Sequence, residues 1–158
     1  MRSLLCIFFL ISTLTISYGQ SAEIDSLRQL SEKLQGTRKI DALNRLAWAF
    51  VFVDLDKSKE VAKQARELSE RSNYTKGKAE ALIDEGFCEM KVGHTAASIQ
   101  KFKESVVLCK EASQDTLQGF ALTYLGLNYQ NLDLLDSSFY FLNQSHEILK
   151  DSVQPYYL

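Results

Sequence analysis

The chain has 158 residues, 46% hydrophobic and 24% charged, with a formal net charge of −2. That balance fits one ordinary folded domain and excludes both a disordered tail and a multi-domain enzyme. One proline and seven glycines are too few for a sandwich or barrel, and the near-neutral charge argues against a general nucleic-acid binder, which needs a basic surface.

In chain order, the first predicted element is a leader. Arg2 precedes an apolar run from Leu4 to Ile16. The run is short for a membrane span, which takes about 20 apolar residues, and fits the apolar centre of a secretory signal. Ser17 and Gly19 supply small residues, so cleavage is expected before Gln20. Residues 1–19 would then be a signal peptide, and the rest an exported protein, periplasmic or secreted, with no membrane insertion of its own. Charge is uneven beyond that point. Residues 20–110 carry 16 basic and 14 acidic side chains, whereas residues 111–158 carry Lys150 alone against six acids. An acidic end suits a basic partner.

Apolar residues then recur at spacings of three and four, which predicts helices throughout. Ile24, Leu27, Leu30 and Leu34 mark an extra N-terminal helix within residues 20–36, capped by Ser21 and left at Gly36. Ile40, Leu43, Leu46, Ala47 and Phe50 mark a second helix; Val61, Ala62, Ala65 and Leu68 a third. Ala79, Leu82, Ile83, Gly86, Phe87 and Met90 mark a fourth, ending at Gly93, and Ile99, Phe102, Val106 and Cys109 a fifth. Leu117, Ala121, Leu122, Leu125, Tyr129 and Leu132 mark a sixth, opened by a capping box of Asp115 and Gln118. Phe139, Leu142, Ser145, Ile148 and Leu149 mark a seventh, with Asp136 as its N-cap. Short connections make neighbours antiparallel.

The pattern repeats. Residues 79–112 superpose on 119–152: Ala81 on Ala121, Leu82 on Leu122, Gly86 on Gly126, Ser98 on Ser138, Ser105 on Ser145 and Lys110 on Lys150. An earlier copy carries Leu43, Leu46, Ala47 and Phe50, then Ser58 and Ala62. A small residue at 47, 86 and 126 lets the paired helix approach closely.

These copies resemble the tetratricopeptide repeat family, whose first helix reads W-x2-L-G-x2-Y and whose second carries A-x3-F. The third copy reads Leu122-x2-Leu125-Gly126-x2-Tyr129, then Ser138-x3-Leu142; the second reads Leu82-x2-Glu85-Gly86-x2-Glu89, then Ser98-x3-Phe102. The period differs from the family's ~34 residues, the closing proline is absent, and Glu85 and Glu89 stand at apolar places. The resemblance implies an all-α fold: antiparallel helix-pair repeats forming a short right-handed α-solenoid, with pairs at about 38–74, 76–113 and 115–152 and a tail at 153–158. Forty-residue repeats behind a signal peptide further resemble the exported sensory regions of bacterial sensor histidine kinases and transcription regulators.

In such stacks the first helix of each pair lines a concave groove. The resemblance therefore implies a binding face made of Asn44, Trp48 and Val51, then Ile83, Phe87 and Met90, then Thr123, Leu127 and Gln130. Trp48 is the best single anchor for a peptide or helix. The extra helix at residues 23–35 could fill the same groove. The polar set with which some relatives clamp a C-terminal carboxylate is not matched.

Signals for chemistry are sparse. His94 reads as a solvated turn residue and His146 as a surface helix residue. Cys88, His94 and Cys109 are too far apart along helices to share an ion. In a hairpin turning at residues 93–95, Cys88 and Cys109 sit about 13 Å out of register, so two buried free thiols are expected rather than a disulfide. Glu85 and Glu89, with Asp84 beside them, read as a solvated stripe, and Lys57, Lys59, Lys63, Arg66 and Arg71, interleaved with Glu60, Glu67 and Glu70, as a solvated face with i, i+4 pairs. The expectation is an exported scaffold that binds a protein or peptide through its concave face. It needs no cofactor or metal and catalyses no reaction. A homodimer through the uncapped C-terminal pair is a further expectation, and a sensory fragment lacking its output domain is the second reading.

Overall fold

The computed structural model describes residues 21–150. The expected signal peptide, the tail at 153–158 and the last two residues of the third pair lie outside the described residues. Residues 21–33 form helix α1. It is followed by α2 (Gly36–Phe50), α3 (Leu55–Arg71), α4 (Thr75–Lys91), α5 (Thr95–Glu111), α6 (Asp115–Asn131) and α7 (Leu135–Leu149). No strand occurs among the described residues. From α2 onward each helix packs on the next, and α4 also touches α2 and α6, while α1 packs on α2 through Ile24 and Leu27. This is a short α-solenoid of helix pairs α2–α3, α4–α5 and α6–α7.

From α3 onward the helices start at 20-residue steps, and one turn geometry sets the step. Asn73, Gly93, Ser113 and Asp133 each adopt a positive φ, between 52° and 81°. The next residue's N–H reaches back to close the helix: Tyr74 to Ser69, His94 to Glu89, Gln114 to Cys109 and Leu134 to Tyr129, at 2.8 to 3.0 Å. This six-to-one bond is the Schellman closure, which satisfies a carbonyl the helix leaves open. Gly, Asn and Asp tolerate the left-handed backbone best. The connection at residues 51–54 lacks that residue and is one residue longer, but α2 ends two residues sooner after Ala47 than α4 does after Gly86, so Ala47 lies 39 residues before Gly86 while Ser58 lies 40 before Ser98.

The helix starts differ from the expected caps. Ser21 is already helical. Gln114 precedes α6 and Leu134 precedes α7, neither with a side-chain cap bond, so Asp115 and Asp136 lie inside the first turns. There their charge still opposes the positive end of the helix dipole. Asp54 is the side-chain cap, its carboxylate accepting from the Lys57 N–H at 3.1 Å.

Phe102 sits at the centre of the main core, with Val51, Ile83, Phe87, Ala121 and Leu125. Within each pair the small residues do what their spacing implies. A Cβ on Gly86 would lie 3.1 Å from the Lys101 Cβ, and one on Gly126 2.7 Å from Leu142. Buried serines stitch the pairs: Ser58 donates to the Ala47 carbonyl, Ser98 to Gly86, Ser105 to Ala79 and Ser145 to Gly119, at 2.7 to 3.0 Å. A hydroxyl can be buried at little cost when it finds such an acceptor.

Cys88 and Cys109 are buried and free, with Ser58 and Ser105 as their hydroxyl neighbours. Burial pushes both thiols up, away from the reactive thiolate. Both should resist a thiol reagent such as dithiobis-nitrobenzoate in the native state. They should react at the rate of a free thiol in denaturant; rapid native labelling would show that the pairs open.

Candidate functional site

Helices α2, α4 and α6 lie side by side and line one face of the solenoid. A cavity of about 620 Å³ opens there. Asn44, Arg45, Trp48 and Phe52 form one wall, from α2 and the turn after it; Glu80, Ile83 and Asp84 of α4 form the floor; Leu117, Phe120 and Tyr124 of α6 form the other wall. From α1 only Glu23 reaches the rim. The apolar side of α1 is spent elsewhere, with Ile24 and Leu27 against Leu46 and Phe50. The extra helix therefore buttresses α2 and leaves the groove open.

The nine residues singled out from the sequence divide. Asn44, Trp48 and Ile83 line the cavity. Phe87 lies just beneath, its ring edge-on to Trp48 at 5.4 Å, to Phe52 at 6.1 Å and to Tyr124 at 5.0 Å. Val51 is core rather than groove, and Met90 packs against the same core. Thr123 faces α7, where its hydroxyl bonds the Gly119 carbonyl and the Ser145 hydroxyl. Leu127 and Gln130, further along α6, do not line the cavity. The α6 stripe is thus turned by one residue, about 100° on a helix, to Leu117, Phe120 and Tyr124. Phe120 and Phe52 were missed; both are large apolar side chains left exposed.

Polar groups concentrate on the floor. Asn44 donates to the Gly77 carbonyl at 3.0 Å and to Glu80 at 3.1 Å, while its own carbonyl oxygen is buried without a donor among the described residues. Burial raises Glu80, against the pull of Lys76. Asp84 is only 5% exposed. Burial, then the neighbouring Glu80 and Glu85, push its carboxyl well above the usual range. It has no cationic or hydrogen-bonding partner among the described residues.

The other two acids of this run face away from the cavity, and the solvated-stripe reading does not hold for them. Glu85 is buried between α3 and α5, bonded by Arg66 at 2.7 Å and by Lys101. Glu89 is held by Lys59 and by the His94 ring at 2.7 Å. Its carboxyl is lowered chiefly by Lys59, with His94 adding to this against the cost of burial. Lys59 and Arg66 thus cross to α4 instead of serving only their own helix. Buried cross-helix pairs keep those two positions in the interior.

Among the described residues no group of three or more His, Cys, Asp and Glu is placed to hold a metal ion, and no helix is long and apolar enough to cross a membrane.

No family model matches the chain, and no curated protein sequence matches it. Among solved structures it is similar to the apo form of RapI, with a TM-score of 0.70 and 16% identity, over 86% of this chain and 50% of that one. The chain thus spans about half the length of RapI. At that identity the likeness is one of fold: a stack of helical repeats.

Proposed function

We infer that this chain is an exported scaffold of tetratricopeptide type, which holds a protein or peptide in its concave groove and performs no reaction itself. The observation that carries this reading is the groove's aromatic lining. Trp48 is 40% exposed, and with Phe52, Phe120 and Tyr124 it walls the cavity over α4. Exposed aromatics gathered over a concavity are a common anchor for a partner. Trp48→Ala should cut partner capture from the source organism's exported fraction at least tenfold while helicity by circular dichroism stays unchanged. Loss of helicity would make Trp48 a core residue, and unchanged capture would remove the groove from the interaction.

A second reading follows from α7, where Leu135, Phe139 and Tyr140 are exposed, Phe139 by 74%. That apolar face suits further repeats of a sensory region in a kinase or regulator, or a second copy of the chain. Blotting source cells with an antibody to residues 57–73 separates these. A band of the chain's own size supports the stand-alone scaffold, and a much larger membrane-bound band supports the sensory protein.

A further inference from the structure

We propose that the cavity between α2, α4 and α6 is a seat for a cationic side chain, an arginine or lysine of the bound peptide, with Asp84 as its counter-ion. The proposal rests on the scaffold reading above and specifies the partner's chemistry.

Three features of the cavity point the same way. First, Asp84 lines the floor as a buried carboxyl with no partner of its own. Holding an ionisable group largely out of water and unpaired costs stability, and an incoming cation offsets that cost. Second, the charge around it is one-sided. Glu80 stands one turn away on the same floor, with Lys76 at 3.7 Å outside the cavity, and Glu23 at the rim; among the lining residues only Arg45 opposes them, and it is exposed. Third, the walls are aromatic rings, whose faces attract ammonium and guanidinium groups. The same ring cluster already holds one cation on its outer side, where the Lys91 ammonium lies 5.0 Å from the Phe52 ring centre and 5.6 Å from that of Phe87. A cavity of about 620 Å³ admits a whole side chain with its neighbouring backbone.

The seat also predicts a pH dependence. Asp84 feels Glu80, Glu85 and Cys88 of its own helix and Tyr124 of α6, and it shares the cavity with Asn44 and Arg45 of α2. In the empty groove the neutral acid is favoured, and a bound cation favours the carboxylate. Affinity should therefore rise with pH beyond the usual carboxylate range and level off only once Asp84 of the empty groove has ionised.

Trp48 is the chain's single tryptophan and lines the cavity, so its emission reports occupancy. The probe is the blocked pentapeptide Ac-Ala-Ala-Arg-Ala-Ala-amide, compared with the same peptide carrying citrulline, which keeps the shape and loses the charge. The arginine peptide should shift Trp48 emission saturably, and the citrulline peptide should bind at least tenfold more weakly. Asp84→Asn should weaken the arginine peptide at least tenfold, and Glu80→Gln by a smaller factor. Equal binding of the two peptides, no saturable binding, or an unaffected Asp84→Asn protein would overturn the seat. A natural partner lost on Trp48→Ala yet held equally by Asp84→Asn would leave the scaffold standing without a cationic seat. Binding of the arginine peptide with natural capture unchanged by Trp48→Ala would do the reverse.

Discussion

Phe102→Ala should destabilise the protein by about 3–5 kcal/mol, the largest loss expected from any single side chain here. Phe102 is fully buried and stacks on Tyr124, with ring centres 5.4 Å apart and planes 21° from parallel. Its edge lies against Gly86, where a Cβ would be only 3.2 Å from the ring. Gly86 has no side chain to lean into the space that truncation would open, so the cavity stays largely unfilled and the loss belongs at the upper part of that range. For a chain of this length each kcal/mol moves the melting temperature by about 2–4 °C, so thermal unfolding followed by circular dichroism should shift by roughly 10 °C. The ring also belongs to a series running through Tyr124 and Phe87 to Trp48. Trp48 emission should therefore move to longer wavelength in the folded variant. A shift of less than about 3 °C would mean that the core closes over the gap.

The paired change Arg66→Ala with Lys101→Ala is the second large effect. It strips Glu85 of the cations from α3 and α5 while leaving the carboxylate side chain 6% exposed. Removing the partners of a buried charge costs about 3–5 kcal/mol, because the survivor can neither pair nor reach water. The reverse change, Glu85→Gln, should cost less, since Arg66 and Lys101 are partly exposed and can turn outward. Replacing all three by methionine or leucine should recover most of the loss, as apolar residues of similar volume often match a buried ion pair. Urea unfolding of the four proteins tests this ordering. If Glu85→Gln costs more than the loss of both cations, the network is held by something other than the buried carboxylate.

Much of the architecture was legible because it is written in spacing. The match of Gly86 to Gly126 and of Ser105 to Ser145 marks where helices approach and where hydroxyls meet carbonyls across a pair, which is local repetition that a single sequence displays. Helix starts were less legible. Asp115 and Asp136 have good capping chemistry, yet the Schellman closure of the preceding helix sets where the next helix begins, one or two residues earlier. Of the residues expected to form the groove, Asn44, Trp48 and Ile83 line the cavity. Thr123, Leu127 and Gln130 of α6 do not, because the register of a helix against its neighbour is a tertiary property. Thr123 is drawn to α7 by Ser145, and that rotation brings Phe120 and Tyr124 round to the cavity. The acids of α4 were hardest to assign. Asp84, Glu85 and Glu89 look alike in a sequence, and only packing separates the carboxyl facing an open cavity from the two clasped by lysine, arginine and histidine.

Packing between α2 and α7 joins helices that are adjacent in the chain or next but one. Chains with such short-range contacts fold quickly and lose structure unit by unit from their ends. α4 alone is flanked by four of these helices, and every residue from Ala81 to Glu89 is buried within it. Its amides should be the last to exchange with deuterated water. The groove would then combine a floor that persists through partial opening with an α6 wall that can detach and return, so that a bound segment could leave sideways without the scaffold unfolding.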